Sequence, residues 1–372
     1  MNAAVDREAM EQMRDAVRAF AKEVDGVGRV RADAEVRATG IAPVADRGVW
    51  QRLNDELGLC ALVVPEKLGG LGAGEVAAAL ALEELGYMLE PAPAWSSLNA
   101  ARALSAGFDS TDALDGLLSG QLTGTLATTS AGPRATPEVW LRSDGALDGI
   151  AHAVPDGYAA DVVVVLAERD GRPVLVVADM TTAAAESRRA LPGTDLVRTY
   201  ADLDLADVNA SVVTDDPTEV QRCQDRADLS MAAELLGGAR ACLDRTVEYL
   251  LVREQFGRVI GSFQGLQHTV ASLAVQIEQT RAVLDLALAA TDADDDLTSS
   301  RVAPLARAAA AETFVHGADV LIHLHGGTGF TWEHDAHLFF RRARASAAWG
   351  GTPASHYAEA ACRGCAQLLN TT

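Results

Sequence analysis

Four stretches carry residue types that could do chemistry. Glu333, His334, Asp335 and His337 are metal-ligand types set close together, but no second cluster completes a coordination shell. They read instead as the acidic start of a helix that continues through Leu338-Phe339-Phe340-Arg341-Arg342, with no metal. Cys362 and Cys365 have redox or metal spacing, yet they stand apart from any strand–helix–strand pattern, and five scattered cysteines fit reduced thiols. The glycine-rich Pro65-Glu66-Lys67-Leu68-Gly69-Gly70-Leu71-Gly72 lacks the preceding strand and the Lys-Ser/Thr ending of a phosphate loop, so it reads as a tight turn. The fourth stretch is Arg253-Glu254-Gln255-Phe256-Gly257, followed by Gly261 to His268 and later by His325-Gly326-Gly327. Taken singly, Arg253-Glu254 is an exposed ion pair, Phe256-Gly257 a helix-ending turn, and the glycines a bend.

The elements that must position these residues divide the chain in three, as a length of 372 residues suggests. Residues 1–119 read as helical, with stripes through Met10, Met13, Val17, Phe20 and Val24, through Trp50, Leu53 and Leu57, and through Ala79, Leu82, Leu85 and Leu89. Residues 120–215 switch to a small β domain. One hairpin turns at Asp144-Gly145, a second at Asp170-Gly171 between Val162–Leu166 and Pro173–Val177, and short runs follow at Thr199–Leu205 and Ala210–Val213. Residues 216–372 return to helices. One runs from Asp225 to near Arg253. The next carries Leu266, Val270, Leu273, Ile277, Leu284 and Leu288, and a third runs from Val302 to about Leu324. The acidic Asp292–Asp296 is expected to be a solvated connection. The fold class is α+β. A net charge of −21 argues against nucleic acid and anionic membrane surfaces, so any phosphate site must be locally basic. Without an apolar run of about eighteen residues or a signal-like start, the expectation is a soluble, cytoplasmic protein.

In combination and order, the motifs resemble the acyl-CoA dehydrogenase family over almost the whole chain. The residues that carry the resemblance are Trp50…Glu56-Leu57-Gly58-Leu59, Val64–Gly72, Glu83-Glu84-Leu85-Gly86, Arg253–Gly257, Gly261–His268 and His325–His337. The resemblance implies an N-terminal helical domain, a middle β domain and a C-terminal four-helix bundle. It also implies FAD and removal of an α-proton and a β-hydride from an acyl-CoA thioester, with electrons passing to electron-transfer flavoprotein. The family supplies the base as Glu in an aromatic-Glu-Gly-Thr turn; here that turn reads Trp349-Gly350-Gly351-Thr352, and Gly350 has no side chain to take a proton. A minority of the family places the base where Ala227 stands. Asp228, the neighbouring carboxylate, lies about 100° of helix off the needed direction. Glu234, further along, reads as an interhelical polar contact.

The segments matching the family's isoalloxazine site, Leu126 to Gly132 and Ile150 to Val154, keep the hydroxyls of Thr128, Thr129 and Ser130 but lack the family's Glu-Pro and Trp. By contrast, the residues implied to contact the ADP half of FAD across a dimer interface are nearly complete: Arg253, Phe256, Gln264, Gly326 and Gly327, with His323 replacing the usual Gln. The expectation is a partner subunit resembling those that lack the catalytic Glu in actinobacterial heteromeric enzymes of steroid side-chain breakdown. It would share FAD in an α2β2 assembly with a related chain that carries the Glu. Two alternatives stand beside it: a complete homo-oligomeric enzyme using Asp228 as base, and a flavin-free CoA-binding or interaction scaffold.

Overall fold

Burial follows the apolar stripes. Val17, Phe20, Trp50, Leu53, Leu82 and Leu85 are all buried, and each lies on a helix whose spacing faces them inward. The computed structural model describes residues 7–41, 45–107, 112–128, 138–181 and 185–364. The first part holds seven helices among the described residues: α1 (Arg7–Val24), α2 (Gly26–Ala32), α3 (Ala34–Arg37), α4 (Ala45–Leu57), α5 (Glu75–Tyr87), α6 (Ala94–Gly107) and α7 (Asp112–Leu118). The Pro65–Gly72 segment folds back as a turn between α4 and α5, with Gly69 and Gly72 in the left-handed region.

Eight strands then form one sheet: β1 (Gly124–Ala127), β2 (Val139–Leu141), β3 (Leu147–Pro155), β4 (Val162–Arg169), β5 (Arg172–Asp179), β6 (Arg188–Leu191), β7 (Tyr200–Asp204) and β8 (Ala210–Thr214). Their order is β6-β7-β3-β2-β4-β5-β8, with β1 parallel to β4. Both expected hairpins form, β2–β3 and β4–β5. The second turns on Asp170-Gly171, both at positive φ, as a two-residue hairpin requires. β1 and β6 carry too short a run to be read from pattern. In β4, Val162, Val164 and Leu166 enter the helical core while Val163, Val165 and Ala167 enter the core of the sheet, so one apolar run serves two layers.

Helix α8 (Pro217–Val252) starts eight residues before the expected Asp225, because Asp216 caps it by accepting from the Thr218 amide at 2.9 Å and Pro217 occupies its first position. A two-stranded hairpin, β9 (Glu254–Gln255) and β10 (Arg258–Val259), separates it from α9 (Gln264–Asp292). Then come α10 (Asp296–His325), α11 (Ala336–Ala348) and α12 (Pro353–Cys362). α10 packs against α8, α9, α11 and α12. The Asp292–Asp296 stretch is more than a solvated link. The Asp292 carboxylate accepts from the amides of Glu75 and Val76 at 2.8 and 3.2 Å and so caps α5, while Asp295 caps α10.

Helices α5 and α8 touch backbone to backbone. A Cβ on Gly237 would lie 1.9 Å from the Glu83 carbonyl oxygen, and one on Gly86 would lie 2.1 Å from that of Glu234. Gly237→Ala should therefore destabilise the fold by about 1–3 kcal/mol through overpacking. Gly265→Ala, in the first turn of α9 where an added Cβ meets nothing, should be neutral or stabilising by up to about 1 kcal/mol. Thermal melts of the two variants check this; equal behaviour would refute the close contact.

Candidate functional site

The residues singled out from sequence fall into two places. Arg253 ends α8, and its carbonyl accepts from the Ile260 amide at 2.8 Å, closing the β9–β10 hairpin. It forms no ion pair with Glu254, and among the described residues no acidic side chain neutralises its guanidinium. Phe256 and Gly257 are the hairpin tip, both at positive φ, rather than the end of a helix. Phe256 is 89% exposed in a backbone conformation that disfavours a bulky residue. Gln264 opens α9 and is exposed. His323 lies exposed in the last turn of α10, and exposed Gly326 and Gly327 follow it. Beside them runs a groove of about 830 Å³ lined by His323, Phe330, Phe340, Arg341 and Arg344.

The end of α8 and this turn are neighbours, since Tyr249 stacks on His325 at 4.2 Å. Around them Val252 and Phe330 are also largely exposed. All six residues expected to reach across an interface are exposed, and the end of α8 that carries Arg253 lies beside the turn that carries Gly326 and Gly327.

The suspected metal types are used otherwise. Asp335 pairs with Arg31 at 2.6 Å and Arg245 at 3.2 Å, His334 packs on His325, and His337 stacks on Trp332. Glu333 is exposed. Among the described residues no group of His, Cys, Asp and Glu could hold a metal ion. Cys362 is exposed, and Cys365 lies outside the described residues.

The second place is a cleft lined by α6, α8, α12, the end of β1 and the turn after α11. Gly350 lines it at φ +71°, and a Cβ built there meets nothing, so the position has room for a side chain it lacks. Trp349 lines the cleft. Its Nε1 donates to the Ala153 carbonyl at 2.8 Å, and its ring meets Trp95 edge-on at 5.2 Å and lies 6.4 Å from Tyr200. Ala153 sits in the irregular part of β3, within the Ile150–Val154 segment matched to the isoalloxazine wall. Thr128 reaches the cleft, whereas Thr129, Ser130 and Gly132 lie outside the described residues. The remaining cavity is about 40 Å³. That is well below the roughly 300 to 1,000 Å³ of sites for molecules of cofactor or drug size.

Asp228 faces this cavity with about a quarter of its side chain accessible (26%). Burial raises its carboxyl to about 6, outweighing the opposing charges of Arg307 and Arg363. Arg307 lies 4.0 Å away and anchors the turn by donating to the carbonyls of Ser346 and Trp349 at 2.8 and 3.1 Å. His356, from the first turn of α12, is buried with Nδ1 3.9 Å from Asp228. Burial, then Arg307, push it down to about 3, so it is neutral.

Sequence reasoning did not find Arg307 or His356, because neither belongs to a motif. It also understated Glu234. This half-buried residue bonds the buried Arg198 at 2.6 Å and the buried Arg342, which in turn holds Asp195 at 2.9 Å. Arg198 and Asp195 belong to the β domain, between β6 and β7, so Glu234 joins that domain to the bundle.

Comparisons with known proteins agree with this layout. Sequence profiles of the acyl-CoA dehydrogenase N-terminal and C-terminal domains match residues 7–105 and 222–363. The chain is 35% identical over 312 residues to acyl-CoA dehydrogenase IpdE2 of Mycolicibacterium smegmatis, covering 83% of this chain and 85% of that one. Among solved structures, the Tcur3481-Tcur3483 steroid ACAD, solved as a variant, superposes with a TM-score of 0.85 at 26% identity over 97% of this chain and 99% of that one. The ChsE4-ChsE5 complex from Mycobacterium tuberculosis superposes at 0.83 and 25% identity over the full length of both chains.

Proposed function

The chain belongs to the acyl-CoA dehydrogenase family, and within it we propose that this protein is the subunit that completes the FAD site of a related chain. That related chain carries the catalytic glutamate. One observation carries the reading: the cleft inside this chain lacks a base at Gly350, while Arg253, which no acid neutralises, and Phe256 are exposed. Arg253 would supply a fork of donors to the pyrophosphate, with Gln264, His323 and the amides of Gly326 and Gly327 meeting the rest of the ADP half. The bound flavin supplies hydride acceptance; this chain's residues bind and orient it.

Two features of the similar proteins support the assembly. Both structures named above are described by two different chain names, and one is called a steroid enzyme. The substrate class is accordingly an acyl-CoA thioester, with a steroid side-chain thioester as its natural example and electron-transfer flavoprotein as acceptor. The arrangement is α2β2, with one FAD for each pair of unlike chains.

The visible absorption spectrum and native mass test the reading. Purified alone, the chain should be colourless. Co-expressed with a related acyl-CoA dehydrogenase chain that carries the glutamate, it should be yellow and of heteromeric mass. Full flavin occupancy in the chain alone would overturn the proposal.

That second outcome would favour a reading in which Asp228, raised to about 6 and facing the cleft, is the base of a self-sufficient enzyme. Asp228→Asn would then abolish flavin reduction by substrate. A heteromer without FAD would leave the scaffold reading.

A further inference from the structure

We propose that Asp335 is a positioning residue for the cofactor face: by holding Arg31 and Arg245 together, it fixes the Gly326–Gly327 turn against the end of α8 that carries Arg253. The inference rests on the partner-subunit reading and names what keeps that site in shape. The glycines cannot do so themselves. Both are exposed, Gly326 stands at positive φ, and a Cβ added to either would meet nothing within 4 Å among the described residues. The shape of the turn therefore depends on how its two ends are held.

The first end is His325. It is buried, its Nδ1 donates to the Leu321 carbonyl at 2.7 Å, and its ring stacks on Tyr249 of α8 at 4.2 Å and meets His334 at 4.5 Å. The second end is Trp332 to Asp335. Arg31, from α2, donates to the Trp332 carbonyl and, at 2.6 Å, to one oxygen of the Asp335 carboxylate. Arg245, from α8, donates to the other oxygen at 3.2 Å. Arg245, Tyr249 and Arg253 follow one another along α8 at steps of four residues, each a little over one turn. One stretch of helix thus carries an anchor for each end of the turn and, one step further on, the guanidinium assigned to the pyrophosphate.

The use that Asp335 makes of its carboxylate separates this role from an ordinary helix start. An aspartate at the head of a helix usually accepts from amides of that helix. Asp335 stands at the N-cap of α11, yet its side chain accepts no amide there; the Ala336 amide goes to His334 Nδ1 at 3.1 Å instead. Both carboxylate oxygens are left to guanidiniums from two other elements, in bonds that charge strengthens on both sides. The acid ties the turn outward to α2 and α8 rather than capping the helix it begins.

The test is equilibrium dialysis of FAD against the intact heteromer formed with a related acyl-CoA dehydrogenase chain that carries the glutamate, with native mass and a thermal melt of each variant. Asp335→Asn should weaken FAD binding roughly 2- to 30-fold, the range for residues that touch no ligand but bias a site. Arg245→Gln, which removes the α8 side of the same link, should do likewise and decides alone if Asp335→Asn does not fold. Asp335→Glu, which keeps the charge, should lose less than Asp335→Asn. Added to Arg253→Ala, Asp335→Asn should cost less than it does in the natural chain, since the turn then has no Arg253 to be aligned with. A lowered melting temperature with FAD affinity unchanged in both Asp335→Asn and Arg245→Gln, while Arg253→Ala weakens it, would make Asp335 a structural contact and overturn this inference alone. So would an undiminished Asp335→Asn loss in the Arg253→Ala background. If Arg253→Ala is itself without effect, the partner-subunit reading fails and the inference falls with it.

Discussion

Arg253→Ala, made in this chain and co-purified with its partner, should lower the affinity of the pair for FAD roughly 10- to 150-fold. A hydrogen bond to a charged group contributes about 1.5–3 kcal/mol, and about 1.4 kcal/mol is a tenfold change in binding. The loss should fall on the cofactor and not on the fold. Arg253 is exposed, no acid neutralises it, and its backbone is held by the Ile260 amide whatever side chain it carries. Surface changes of that kind alter stability within about 0.5 kcal/mol. Arg253→Lys should lie between, because an ammonium keeps the charge but loses the planar fork that matches a phosphate. Equilibrium dialysis of FAD against the two heteromers, with native mass to show that the pair is intact, measures the effect. An unchanged FAD affinity in an intact pair would mean that the phosphates are held elsewhere, and the partner-subunit reading would lose its main support.

The fold was legible where side chains repeat. The stripes through Val17 and Phe20, through Leu82 and Leu85, and through Leu273, Ile277 and Leu284 all mark buried faces of helices, and Asp170-Gly171 marks a hairpin. Pattern misplaced the start of α8, where the signal was a cap, Asp216-Pro217, and not periodicity. It also read Phe256-Gly257 as the end of a helix, where two residues at positive φ make the tip of a hairpin instead.

The site divides in the same way. Arg253, Phe256, Gln264, His323 and the two glycines lie in local motifs that the family resemblance picked out, and all six are exposed, with the end of α8 and the turn after α10 side by side. The cleft was less legible because it is assembled from distant pieces. Trp349 reaches Ala153 across 196 residues, and Arg307 meets Asp228 only because α8 and α10 pack together. A glycine at 350 can be read from sequence; the packing of Trp349 on Ala153 and Trp95 cannot.

Glu234→Gln should destabilise the chain by about 3–5 kcal/mol, the range for removing one partner from a buried ion pair. Burial alone would raise the Glu234 carboxyl. The charges and hydrogen bonds of Arg198 and Arg342 outweigh it and hold the group at about 2. Against an unfolded value of about 4.3, that depression corresponds to about 3 kcal/mol of stability at neutral pH. The contribution is fully present above about pH 4.3 and is lost as pH falls towards 2, so the variant should lose stability at pH 7 and show a flatter profile between those values. Urea midpoints of the two chains at pH 7, 4 and 3 test both parts; parallel curves would mean that Glu234 does not hold the arginines.

The loss should lie nearer 3 than 5 kcal/mol, because both arginines have a second partner. Arg342 keeps Asp195 at 2.9 Å, and Arg198 has Asp156 at 3.9 Å, which also accepts from the Ser96 hydroxyl. Burial raises the Asp156 carboxyl, and the Glu234 charge raises it further, so removing that charge makes Asp156 easier to ionise beside Arg198. Asp156 is thus a reserve partner. Adding Asp156→Asn to Glu234→Gln should cost more than the two single changes summed, since only the pair leaves Arg198 buried without an acid.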